Sequence, residues 1–179
     1  MPTRRRGFEP VLGSRIHVLV LGSFPGVRSL EAAGYYANAQ NRFWRAVAGV
    51  AGLDPADSYP ARLAALRRAG IGLWDVLGAC RRAGSLDQRI VPGSEEPNDL
   101  GPLVRRHPEL RAILLNGTSV AGLFHRFILP RPWWPDAGVA IRVLPSTSPA
   151  HAAMPTREVV ARWTAALRAS LQPRPRAPR

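Results

Sequence analysis

The chain of 179 residues contains no lysine, so all 25 of its Lys+Arg side chains are arginine. Covalent catalysis through a lysine Schiff base is thereby excluded, because guanidinium stays protonated and the one remaining primary amine is that of the N-terminus. Cysteine is as scarce. Cys80 stands alone, which rules out an intrachain disulfide and any Cys-rich zinc or iron–sulfur site, and its apolar neighbours make it a core residue. The 4 histidines do not gather with acids at metal-ligand spacing, so no metal and no cofactor is expected. His17, His107 and His125 read as ordinary. No apolar run reaches the length of a membrane span. Arg4-Arg5-Arg6, followed by Glu9 and Pro10, leaves no hydrophobic signal segment. A cytoplasmic protein with no membrane partner is the expectation.

What is present in excess is positive charge, a net +13. A nucleic-acid partner accounts for it, and so does an arginine-rich compositional bias. A hydrophobic content of 46% over this length fits one globular domain. Residues 1–10 read as a basic, irregular, mobile arm, residues 11–171 as a single domain, and the Pro/Arg-rich residues 172–179 as a disordered tail. Within the domain, apolar β-branched runs alternate with amphipathic segments. Strands are expected at 16–21, 71–77, 112–115 and 139–144, and helices at 41–50, 61–68, 98–107, 117–128 and 156–171. Asn98 and Thr156 are the expected caps of the helices they open. Residues 78–97, rich in Gly, Ser, Pro and charge, read as a long loop and a candidate substrate wall. Residues 130–135 read as a rigid connector. Alternating strands and helices give an α/β protein, a three-layer α/β/α sandwich around a central four-stranded parallel sheet.

The run from Ile16 to Val47 organises the rest. Ile16, Val18, Leu19, Val20 and Leu21 form a buried strand that stops at Gly22-Ser23-Phe24-Pro25-Gly26. In an open α/β sheet ligands collect outside the carboxyl ends of the strands, so this loop lines one wall of a pocket. Tyr35, Tyr36, Asn38, Gln40 and Asn41 follow at once, with Arg42-Phe43-Trp44 opening the next helix. Amides among aromatics can hold both a flat ring and a water.

Gly-Ser-Phe-Pro-Gly, fourteen residues, then Asn-Arg-Phe-Trp resembles the first motif region of the uracil-DNA glycosylase superfamily, most of all its hypoxanthine-DNA glycosylase branch. Residues 70–80 (GIGLWDVLGAC), 84–90 (GSLDQRI), 97–100 (PNDL), 113–117 (ILLNG) and 144–152 (LPSTSPAHA) match in the same order. The resemblance implies a monofunctional enzyme, without AP-lyase activity, that flips a deaminated base (hypoxanthine, uracil, with xanthine as a further candidate) out of DNA and hydrolyses its N-glycosidic bond. It implies DNA carrying such a base as partner, nucleoid association and a monomer.

The resemblance also distributes roles. Where more active relatives carry Asp or Asn in the first loop this chain has Phe24, and where they begin the second motif with His it has Leu144. Asn41 then becomes the catalytic candidate, its carbonyl orienting the attacking water; a helix cap is its other reading. Gly22, Ser23, Phe24, Tyr36 and Asn116 are the base-binding candidates. Tyr36 would stack on the extruded base, and Asn116, at a strand end, would give its NH2 to a keto oxygen and accept from a ring N–H, or else cap the next helix. Ser146, Thr147, Ser148, Pro149, Ala150 and His151 are the DNA-binding candidates, hydroxyls and amides for phosphate and the rest as a wedge. Three alternatives stay open: a strictly uracil-specific enzyme, a base-flipping module with little cleavage, and a small-nucleotide-binding α/β protein.

Overall fold

The computed structural model describes residues 2–132, 134 and 139–172. Its first element corrects the expected arm. Strand β1 (Arg4–Arg6) pairs antiparallel with a later strand, β4 (Leu77–Arg81), Arg5 facing Cys80. The centre of the fold is β2 (Val18–Gly22), whose four apolar residues are all buried. Helices α1 (Val27–Glu31), α2 (Phe43–Ala51) and α3 (Tyr59–Arg68) follow and lead to β3 (Ile71–Asp75). Ser58 caps α3, accepting from the Ala61 N–H.

The segment expected as one strand over 71–77 divides at Val76. Its amide bonds to Gly22 O and that of Leu77 to Ser23 O, which turns the chain off the central sheet and into β4. Residues 78–97, expected as a loop, thus hold β4, a 3-10 turn at Asp87–Arg89 and β5 (Glu96–Pro97); β1, β4 and β5 make a small antiparallel sheet. Asn98 does not cap a helix. Its amide donates to the backbone oxygen of Asp75 at 2.9 Å, and α4 (Gly101–Arg106) starts three residues later. Strand β6 (Ala112–Asn116), helix α5 (Thr118–Phe127), strand β7 (Ala140–Leu144) and helix α6 (Thr156–Leu171) complete the chain. Pro155, not Thr156, holds the N-cap position of α6. Trp133 and Pro135 of the expected connector, and residues 173–179 of the expected tail, lie outside the described residues.

The central sheet is parallel with order β3-β2-β6-β7, the expected four strands. Alternation along the strands divides the core in two. Val18, Val20, Ile71, Leu73, Ala112 and Leu114 pack with Phe43 and Val47 of α2 and Trp163 and Leu167 of α6. Leu19, Leu21, Ile113 and Leu115 pack with Leu100, Leu103, Val120 and Phe124 on the opposite face. Helices on both faces make the three layers. Chain order runs from β2 outward to β3, then back across to β6 and β7. The order therefore reverses between β2 and β6, the place where an open α/β sheet forms a binding crevice.

Candidate active site

Three residues meet the crevice in one row. Gly22 is in register with Asp75 on one side, and Asn116 closes β6 on the other, all three on the face that carries Val20, Leu73 and Leu114. Beyond them opens a cavity of about 230 Å³, lined among others by residues 22–26, Tyr36, Asn41, Asp75, Asp87, Asn116 and Ser146. It is small for a drug-sized ligand and suits one flat nucleobase. Gly22 has no substitute there: a Cβ would collide with Asp75 Oδ1 and lie 3.7 Å from the Tyr36 hydroxyl.

Tyr36 sits in the left-handed region, φ 54°, a conformation costly for a bulky residue and tolerated where surroundings enforce it. Its ring stacks on Phe43 at 3.9 Å with 20° between planes. Burial, and then the Asp75 carboxylate, hold its phenol above the ordinary range, so it is neutral at physiological pH. The phenol accepts from Asn116 Nδ2 at 3.3 Å.

Asn116 is tied more tightly than a free reading group would be. Nδ2 also donates to Thr147 Oγ1 at 2.9 Å, while Oδ1 accepts the Thr147 N–H at 2.8 Å. Both amide hydrogens are thus engaged within the protein, and only the longer bond to Tyr36 is readily exchanged for one to a base. The capping alternative is not realised, since α5 has Gly117 at its N-cap and no side-chain cap bond. The Thr147 expectation needs correction. Its side chain is wholly buried, so its hydroxyl serves Asn116 rather than a phosphate.

The Asn-Arg-Phe-Trp motif now divides into four tasks. Asn41 lines the cavity while its Oδ1 accepts the Phe43 N–H at 2.9 Å; the N-cap position of α2 itself is held by Arg42, without a side-chain cap bond, and a second lone pair of Asn41 stays available. Arg42, taken from the sequence only as part of a helix start, is buried and donates to the backbone oxygens of Ser146, Thr147, Ser148, His151 and Met154 at 2.9–3.5 Å. One guanidinium thereby holds the whole second-motif loop. Phe43 supports Tyr36, and Trp44 joins the core.

Arg82 does the same for the first loop, donating to the backbone oxygens of Phe24, Pro25 and Gly84 and pairing with Asp87 at 3.4 Å. Its guanidinium lies 5.1 Å from the Phe24 ring, which is buried among apolar residues and offers the cavity no polar atom. Ser23 donates to Asp87 Oδ1 at 2.7 Å. Ser148, Pro149 and Ala150 line the cavity from the far side, and His151 lies in an adjoining one of about 250 Å³ with Gln88, Thr118 and Ser119. The two share Ser85, Leu86, Asp87, Asn116, Ser146, Ser148 and Ala150 and so form one continuous groove. Among the described residues no group of three or more His, Cys, Asp or Glu is placed to hold a metal, and no helix is long and apolar enough to cross a membrane.

One residue was missed altogether. Asp75 is 4% exposed and its Oδ2 has no hydrogen-bond partner among the described residues. Burial pushes its carboxyl up to about 7, against the lowering effect of Arg82 and with a further raising effect of Asp87. The available signal was its place, an ionisable residue ending an apolar parallel strand beside Gly22.

Comparison with known proteins agrees with this architecture. A solution NMR structure of a protein from Methanosarcina acetivorans, provisionally named a uracil DNA glycosylase, superposes with a TM-score of 0.78 at 34% identity, covering 95% of this chain and all of the other. The fold is therefore that of a DNA glycosylase of the uracil-DNA glycosylase superfamily. A hypoxanthine DNA glycosylase of Methanosarcina acetivorans is 39% identical over 148 residues, 82% of this chain and 88% of its own. One from Methanosarcina barkeri is 39% identical over 115 residues, 64% and 72% respectively. No protein-family model matches. The chain belongs to the hypoxanthine-DNA glycosylase branch of that superfamily and hydrolyses N-glycosidic bonds in DNA.

Proposed function

We propose that the enzyme removes hypoxanthine from DNA and accepts uracil as a second substrate. The carrying observation is the row Asp75, Gly22, Tyr36, Asn116 at the floor of a cavity sized for one flat nucleobase. Both bases present a keto oxygen beside a ring N–H. Oδ1 of Asn116 keeps one lone pair for that N–H after accepting from Thr147, and its amide is held in a single orientation. The names of the relatives point the same way. The row needs no group from a second copy to be complete, and a monomer acting in the compartment that holds its DNA fits it.

Asn41 orients the water. Its side chain lines the cavity, and the loop of residues 146–151, held by Arg42, offers the Ser146 and Ser148 hydroxyls as donors to the strand, their oxygens already accepting the Ser148 and Ala150 amides. The test is single-turnover cleavage of a panel of duplexes, each with one deaminated base, developed with alkali. Wild-type enzyme should release hypoxanthine fastest. Asn41→Ala should slow release about 100-fold, as for a lost positioning group. Asn41→Ser keeps an oxygen for the Phe43 N–H and should be equally slow. Wild-type rates in the Ser variant would leave Asn41 a backbone anchor and nothing more.

A further inference from the structure

We infer that Asp75 is the proton acceptor for the attacking water, a catalytic role distinct from the positioning given to Asn41. Two carboxylates line the cavity, Asp75 and Asp87. Asp87 is occupied, accepting from Ser23 Oγ and pairing with Arg82. Asp75 is not: Oδ2 is buried without a partner although Oδ1 touches the space left open by Gly22. A buried acceptor with nothing to accept is costly, and a native fold keeps one where a ligand or a reaction supplies the partner. Its placement is also enforced. Asn98 donates to the Asp75 backbone oxygen, and strand pairing fixes it opposite Gly22. Phe24 leaves the first loop without any group able to take a proton. The carboxylate absent from that loop is offered instead by the neighbouring strand.

As the C1′–N bond to the base breaks, its electron pair leaves with the base and C1′ gains oxocarbenium character. Water oxygen bonds to C1′, and the water proton passes to the Asp75 carboxylate through Oδ1, the oxygen that faces the space beside Gly22. The protonated Asp75 then returns that proton to the departing base anion, which restores the carboxylate. An ionised Asp75 also lies at negative charge near the developing cation and stabilises it.

The titration that controls this step is set by what faces the carboxyl. From the turn after α1 these are the phenols of Tyr35 and Tyr36, both held neutral by burial and then by Asp75; from the end of β4 and the 3-10 turn they are Arg82 and Asp87. From β6 comes only the neutral Asn116. With its carboxyl brought to about 7, Asp75 changes state within the working range of such an enzyme.

The inference rests on the glycosylase activity of the wild-type chain, which the duplex panel establishes first, so failure of one is separable from failure of the other. Single-turnover release of hypoxanthine is then followed between about pH 5.5 and 9 for wild type and Asp75→Asn, with affinity for an abasic-site duplex measured in parallel. Wild-type rate should rise with pH through a limb near 7. Asp75→Asn should be about 100-fold slower or more and lack that limb, with abasic-duplex affinity unchanged within about 2-fold. A variant that keeps the wild-type rate, or one that keeps the limb, overturns the proposal. So does a loss confined to duplex affinity or to the choice among bases, which would make Asp75 a recognition group. Should Asp75→Asn not fold, the wild-type profile decides alone, and its flatness between about pH 6 and 8 overturns the role.

Discussion

Asp75 has a stability signature independent of its chemistry. Its folded carboxyl keeps its proton to about pH 7, whereas the ordinary value is 3.8. A raised folded value means that the contribution favouring the fold is complete below about pH 4 and is lost as pH climbs through 7. Above that point the fold carries a buried charge that Arg82 offsets only in part. Asn has the same shape and never ionises. Asp75→Asn should therefore unfold at higher urea than wild type at pH 8, by on the order of 2–4 kcal/mol, and the gap should shrink toward zero near pH 4. Urea denaturation of both proteins at about pH 4.5 and 8 measures it; a gap independent of pH would show that the carboxyl is not held protonated. Loss of activity joined to gain of stability would mark a residue kept for function. At this scale Tyr36, Asn41 and Asn116 were legible because their motifs are distinctive. Asp75 was not, since Gly-Leu-Trp-Asp-Val-Leu-Gly reads as a strand, and nothing in a sequence says that a carboxylate at its end is left without a donor.

Among the elements, the two loops that enclose the cavity are held by buried arginines rather than by their own residues. Arg42 is the stronger case, because all its acceptors are carbonyls of one segment, residues 146–154. Lysine in that place presents one ammonium on a flexible stem and cannot serve so many oxygens at once. Arg42→Lys should leave buried carbonyls unpaired at a cost on the order of 3 kcal/mol, or about 6–12 °C in melting temperature for a chain of this size. Amides of residues 146–151 should exchange hydrogen faster while those of β2 and β6 do not. Unchanged exchange in the loop would place its stability elsewhere. The main strands and helices were legible from apolar runs and periodicity. The small sheet was not, because three consecutive arginines carry no strand pattern and β5 spans two residues, so both depend on partners far along the chain. The division at Val76 escaped for the same reason, being set by bonds to Gly22 and Ser23.

For the whole molecule, the total replacement of lysine by arginine separates two functions that cationic charge and amine chemistry otherwise share. A net charge of +13 supports phosphate binding as well in guanidinium as in ammonium form, and the arginines that fix both loops use a fork of donors that lysine lacks. Strand cleavage by a glycosylase is different. It needs an unprotonated amine to attack C1′ and form an imine, and guanidinium stays charged throughout the accessible pH range. The carboxylates and amides around the cavity, Asp75, Asp87, Asn41 and Asn116, include no amine able to form an imine. Incubation with a hypoxanthine duplex should accordingly yield an unbroken abasic strand that parts only on treatment with alkali or heat. Borohydride added during turnover reduces any imine to a stable protein–DNA link, so the denaturing gel should show no slow-migrating adduct at any enzyme concentration. A borohydride-dependent adduct would overturn the water mechanism for this chain and direct attention to its N-terminal amine.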